Sequence, residues 1–205
     1  STSNLVPTTG ALPLSTTLDT VGVITRNVST AIQAHEILAN RKVSISNKPL
    51  ANYRVAVIKN VFLTSCDETV SRAWARSLAN LTTAGLHVTE IELPELSEIA
   101  HINRKGGFSP IEAYRWHKDL IAAHEQNYDH RVAQRILLGK TATDADYQAL
   151  LRERVDWITR IEAKLAPFDA VLSPTVPIVA PTIASIESDD KEFFRVNALL
   201  LRNPS

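Results

Sequence analysis

An α/β fold is predicted for this chain from three observations. Residues 53–58, Tyr-Arg-Val-Ala-Val-Ile, form a β-branched run suited to a buried strand. Residues 87–93, His-Val-Thr-Glu-Ile-Glu-Leu, alternate enough to be a second strand, and a long helical pattern lies between the two. A strand–helix–strand unit over 53–93 is typical of a parallel sheet. Residues 94–165 then carry only helical patterning, which makes them a helical insertion.

The chain opens on a stretch rich in Pro and Thr, residues 6–28, that runs into a helix with Asn27 as N-cap. Val28, Ala31, Ile32, His35 and Leu38 set the helical spacing, which fades near Asn40. Residues 41–52 form a polar connection, the one linker-like stretch. After the first strand, Ser65 and Glu68 have capping-box spacing. Val70, Trp74, Ser77, Leu78 and Leu81 make a helix face, and Gly85 stands where a C-terminal cap belongs. In the insertion, Ser109-Pro-Ile-Glu112 reads as a capping box with Pro at the first helical position. Asp129 is placed to cap 130–138 and Gly139 to end it. Thr143 starts a last long helix with Asp144 and Asp146 in its first turn, where the helix dipole favours them. Its face is Tyr147, Leu150, Leu151, Arg154, Ile158, Ile161 and Leu165, and Pro167 stops it. Phe168–Leu172 is a buried-strand candidate that leads into a Pro-spaced loop, 173–181. A loop leaving the C-terminal end of a parallel strand is where α/β proteins place ligands. A short helix over about 190–201 ends the pattern.

Length permits a sizeable core and an enzyme. The 22 basic and 22 acidic residues cancel, so no net field favours nucleic acid or an anionic membrane as partner. A single cysteine, Cys66, excludes an internal disulfide framework and a multi-Cys zinc site, and the expected compartment is the cytoplasm. No apolar run has the ~18 residues of a spanning helix. The absence of methionine and the presence of only 6 glycines lead us to expect a piece of a longer chain.

Self-contained catalytic motifs are absent. There is no Gly-x-Ser-x-Gly, whose small residues permit a strained nucleophile turn, no Gly-rich phosphate or dinucleotide loop, and no His-Glu-x-x-His. Gly106-Gly107 reads as a turn. His117 and His124, two helical turns apart, are too widely spaced for one metal, so neither a metal nor a cofactor is expected. Ser188 and Lys191 have Ser-x-x-Lys spacing, but the two acids between them keep the lysine charged, which favours a surface helix cap. Cys66 at a helix N-terminus gains from the dipole and loses to Asp67 and Glu68, which favours an incidental thiol.

A resemblance supplies what the residue chemistry does not. Val6-Pro-Thr-Thr-Gly10, Leu12-Pro-Leu, Ser15, Leu18-Asp-Thr-Val-Gly22 and Thr25-Arg-Asn-Val28 resemble the segment just downstream of the catalytic core in the amidase signature family. Gly106-Gly-Phe108, Glu112-Ala-Tyr-x-Trp-His117, Tyr128-Asp-x-Arg-Val132, Arg135-Ile-Leu-Leu-Gly139, Asp146-Tyr147, Asp169-Ala-Val-Leu-x-Pro-Thr175 and Phe194-Arg-x-Asn197 continue it in order over essentially the whole chain.

The resemblance implies part of a mixed β-sheet sandwiched by helices, the α/β/α fold of that family, with the chain as the C-terminal portion of a single amidase domain. It implies cleavage of a small carboxamide through an acyl-enzyme, using a lysine, a bridging serine and a nucleophilic serine. All three precede residue 1 in the family's order, so no catalytic residue is expected here and the segment alone is expected to be inactive. Arg135, Thr175 and Asn197 are the substrate-binding candidates the resemblance implies: Thr175 and Asn197 near the pocket, Arg135 at a position that recognises a substrate carboxylate in glutamine-using members. Surface ion pairing for Arg135 and helix packing for Asn197 stand beside those roles. The implied partner is a small amide, with a homodimer left open as the assembly. Two other readings remain: the glutaminase subunit of a tRNA-dependent amidotransferase, and a non-catalytic α/β module binding a small ligand through 173–181.

Overall fold

The computed structural model describes residues 5–203. The chain falls into two compact units, one of residues 1–46 with 100–154 and the other of 47–99 with 155–205. The division at 46/47 lies within the polar connection 41–52.

The second unit is built on a three-stranded parallel sheet of order β2–β1–β3, with β1 Arg54–Ile58, β2 His87–Ile91 and β3 Ala170–Leu172. Val55 pairs with Val88 on one side of β1 and with Ala170 on the other. Val55, Ala56, Val57 and Ile58 are all buried, as a central parallel strand covered on both faces requires. Helix α2, Glu68–Thr83, links β1 to β2. Its N-cap is Asp67, whose side chain accepts from the Val70 amide, and not Ser65. Ser65 sits at φ 56 in the preceding loop, a left-handed conformation outside the cap geometry.

Val70, Trp74, Leu78 and Leu81 form a half-buried α2 face, whereas Ser77 is exposed. Gly85, at φ 95, ends the helix: its amide donates to Thr82 and that of Leu86 to Leu81, the paired bonds of a Schellman cap. The core around Ile58, Leu93 and Leu96 is packed by Phe62, Ile91, Val171 and by Trp157, Ile161 and Leu165 of helix α6, Asp144–Leu165. Full burial of each such side chain contributes about 1.5–3 kcal/mol. Leu93 lies past the end of β2, and its backbone is held at both N–H and C=O by the Asn60 amide, at 2.8 and 2.7 Å.

The first unit combines the opening segment with helical elements: α1 Val28–Leu38, α4 Phe108–His124, α5 His130–Leu137 and the part of α6 (Asp144–Leu165) before residue 155. Short helix α3, Ile99–Ile102, precedes α4; α7, Ile183–Ile186, and α8, Asp190–Leu201, belong to the second unit. Asn27 caps α1 through the Thr30 amide, and Asp129 caps α5 through Arg131 and Val132, both as read from sequence. No α1 residue is buried, and Val28 and Leu38, at the ends of its expected face, are exposed. Thr143 and Asp146 cap α6 reciprocally, each side chain accepting from the other's amide.

The expected capping box at Ser109 is not formed. Helix α4 begins at Phe108 behind Gly107, whose φ of 77 suits glycine, and Glu112 turns inward instead of back to the helix start. Gly139 is likewise not a left-handed helix end. It lies in a 3-10 turn, Leu138–Thr141, against the α4 backbone, where a Cβ would come within 2.1 Å of the Pro110 carbonyl oxygen. Phe108, Ile111 and Leu150 form one cluster in this unit, and Ala113, Ile121 and Ile136 another. Among the described residues no helix is long and apolar enough to cross a membrane.

Candidate functional site

In the second unit, the C-terminal ends of β1 and β3 give rise to loops 59–67 and 173–181. Parallel strands end here with their open carbonyls, so the rule that ligands sit beyond the carboxyl edge selects this place. The β1 loop is tightly constrained. Val61 has φ 65, which is strained for a β-branched residue, and its carbonyl accepts from the Thr64 hydroxyl at 2.7 Å.

Asp67 ties the two loops together. Its backbone N–H donates to Pro177 at 2.9 Å, and its carboxylate accepts from the amides of Val70 and Val179, both at 2.7 Å. These two amides, Val70 first, hold the carboxyl below its ordinary range. The end of α8 closes the group. Asn203 donates to the Pro174 and Phe62 carbonyls at 2.8 and 3.1 Å, and Arg202 donates to Asn203 Oδ1, the Thr64 hydroxyl and the Phe62 carbonyl.

Of the residues singled out from sequence, Thr175 lies in this group, exposed one position after buried Pro174. Asn197 is half-buried on α8 of the same unit, five residues before Arg202. Arg135 is exposed on α5 and belongs to the first unit. Arg202, Asn203 and Asp67 are not among the sequence-predicted site residues. Arg202 and Asn203 follow an apolar helix end with no motif to mark them, whereas Asp67 carried a readable signal, an acid one residue before a helical pattern.

Cys66 lies in the same loop. Burial pushes its thiol above the ordinary value; the Arg202 charge opposes this and Asp67 reinforces it. A thiol so shifted is a poor nucleophile at neutral pH. Ser188 and Lys191 flank Asp189, which caps α8 through the Glu192 amide, so that pattern marks a helix start. Among the described residues no cluster of His, Cys, Asp and Glu has the makings of a metal site.

The first unit holds a different polar group, centred on Glu112. Its carboxylate accepts from the hydroxyls of Ser15, Thr17 and Tyr147, each at 2.5 Å, and from the Thr17 amide at 3.0 Å. Burial alone would raise the carboxyl, but these donors outweigh it and hold it below the ordinary range. Ser15 is 1% exposed, so its hydroxyl serves the fold and is closed to a substrate. His117, buried nearby in α4, shares a 2.8 Å hydrogen bond with the Tyr128 hydroxyl, which accounts for it as a locally bonded histidine.

A sequence profile of the family described as Amidase matches residues 1–202. The chain is 29% identical over 194 residues to a 2-amino-5-chloromuconic acid deaminase of Comamonas testosteroni, covering 88% of this chain and 40% of that protein. It is 24% identical over 196 residues to an indoleacetamide hydrolase of Rhizobium radiobacter, covering 86% and 41%. A solved amidase crystal structure superposes with a TM-score of 0.79 at 28% identity, over 88% of this chain and 41% of that one. The chain thus spans about two-fifths of the length of the relatives it matches. The parallel sheet with its helices agrees with that solved fold, and with the profile running through 202 of 205 positions the chain belongs to the Amidase family.

Proposed function

We propose that this chain forms part of an amide hydrolase that converts a small carboxamide to a carboxylate and ammonia. The observation that carries the reading is the match to the Amidase family over residues 1–202. Two relatives bear names that place their chemistry at a carbon–nitrogen bond, a deaminase and an amide hydrolase. In this reading a serine hydroxyl attacks the amide carbonyl, its proton passing through a bridging serine to a neutral lysine. Ammonia leaves with a proton returned by that lysine, and water then hydrolyses the ester to regenerate the serine. The sequence-based resemblance puts those three residues outside this sequence. The raised thiol of Cys66 and the closed Ser15 supply no substitute for them. The chain's contribution is then a wall of the substrate site, with the exposed Thr175 at its rim and Asn197 as a further binding candidate; Arg135, in the first unit, is a candidate of its own.

Intact mass and ammonia release test this together. The gene product purified from its natural source is expected to have a mass more than twice 22.6 kDa, as the 41% coverage of its relatives suggests, and to release ammonia from simple carboxamides. A product of 22.6 kDa that turns over no carboxamide would overturn the proposal.

A further inference from the structure

We infer that Arg202 is a carboxylate-recognition residue, presenting its guanidinium to an acidic group on a ligand bound beyond the C-terminal edge of β1 and β3. The first ground is its partners. Arg104, Arg115, Arg160 and Arg195 each hold a carboxylate oxygen at 2.6–2.8 Å. Among the described residues Arg202 instead donates to neutral oxygens only: Asn203 Oδ1 and Thr64 Oγ1 at 3.0 Å, and the Phe62 carbonyl at 3.3 Å. A residue that merely ties loops together needs donors but no charge, and half-burying an uncompensated cation costs free energy. An anion arriving with a ligand recovers that cost.

The second ground is geometry. A guanidinium has five N–H donors. Three are engaged with the Arg202 partners, one on each nitrogen, which leaves an N–H on each terminal nitrogen for a ligand. The three bonds fix the plane of the group in advance, so little side-chain freedom is lost when a carboxylate docks. The third ground is place. Phe62 and Thr64 belong to the loop after β1, and Asn203 reaches the Pro174 carbonyl after β3, so the cation sits where parallel sheets bind ligands, with the exposed Thr175 hydroxyl next to Pro174. The Arg202 guanidinium faces a loop that also carries the Asp67 carboxylate, and this suits a singly charged carboxylate better than a phosphate dianion.

Taken with the amidase reading, on which the substrate assignment rests, this makes the preferred substrate an amide that also bears a carboxylate. The test is a titration of the full-length natural gene product followed by NMR at the Arg202 Nε–H and the Thr64 and Thr175 amides, with succinamate, its neutral diamide succinamide, and inorganic phosphate as probes. Saturable shifts with succinamate and none with succinamide are expected. Affinity should fall at least about tenfold, the loss of a charge-assisted hydrogen bond, in Arg202→Gln and recover in part in Arg202→Lys. Equal response to succinamate and succinamide, or tighter binding of phosphate, overturns the inference, and this holds on the unsubstituted chain even if Arg202→Gln does not fold. Binding of succinamate together with failure of the natural gene product to hydrolyse any amide sinks the amidase reading and leaves Arg202 as a carboxylate receptor. Hydrolysis with no response to a carboxylate sinks only the role of Arg202.

Discussion

The Ser15 hydroxyl donates to the Glu112 carboxylate at 2.5 Å across 97 residues of sequence, and both side chains are buried. Thr17 and Tyr147 complete the contact, so one carboxylate fastens the opening segment to α4 and α6 within the first unit. All these donors are neutral. The charge is held by hydrogen bonds alone, an arrangement that works only while every donor stays in place.

Replacing Glu112 by Gln should therefore be costly despite its equal size. The amide keeps one acceptor oxygen but turns an NH2 group toward hydroxyls and an amide N–H that need acceptors. A loss of about 2 kcal/mol is expected for Glu112→Gln and about 3 kcal/mol for Glu112→Ala in urea unfolding. A change within about 0.5 kcal/mol, typical of a surface site, would show that the network contributes nothing.

The same group gives a pH signature. The folded Glu112 carboxyl lies below its ordinary value, so its contribution is complete above the unfolded carboxylate pKa of about 4.3 and is lost as pH falls through the folded value. The stability difference between the natural chain and Glu112→Gln should be constant near neutrality and shrink as pH drops below about 4.3. A difference that widened on acidification would contradict the assignment.

Gly139 tests the packing of the first unit. A Cβ there would stand 2.1 Å from the Pro110 carbonyl oxygen and 2.8 Å from Ile111 Cα, and both are backbone atoms that cannot rotate away. Gly139→Ala should thus destabilise by about 3 kcal/mol, the upper part of the overpacking range, although alanine is the better helix former. Thermal unfolding that left the midpoint unchanged would mean that the turn 138–141 yields freely.

These sites mark how far the sequence could be read. The strand–helix–strand unit and the caps at Asn27, Asp129 and Thr143 were legible because each rests on neighbours within a few residues. Ser109 and Glu112 had the spacing of such a local signal, yet the partners of Glu112 lie 95 and 97 residues upstream and 35 downstream, beyond any local pattern. Gly139 suits a helix end by sequence, whereas its reason in the structure is the α4 backbone against it. The edge of the sheet could be located from the strand before 173–181. Arg202 could not, since its place beside Phe62 and Thr64 is set 140 and 138 residues away in sequence.

Ser65 offers a stabilising change. It is exposed at φ 56, a conformation that costs an L-residue about 1–2 kcal/mol and glycine nearly nothing. Part of that gain is offset by the greater freedom of glycine in the unfolded chain. Ser65→Gly is expected to raise stability by about 0.5–1 kcal/mol in urea unfolding, and a loss of stability would mean that the serine side chain holds the loop.

Asp67 separates a helix cap from a loop anchor within one side chain. One carboxylate oxygen accepts from Val70 at the start of α2, and the other from Val179 in the loop 173–181. An asparagine has a single acceptor oxygen and is itself a good N-cap, so Asp67→Asn should keep the bond to Val70 and give up the one to Val179. Asp67→Ala should give up both. In hydrogen exchange the Val179 amide is then expected to exchange faster, on the order of tenfold or more, in both variants, while Val70 is affected only in the alanine variant. If Val179 keeps its protection in Asp67→Asn, the loop after β3 is held by the Asp67–Pro177 backbone bond instead, and the carboxylate acts on α2 alone.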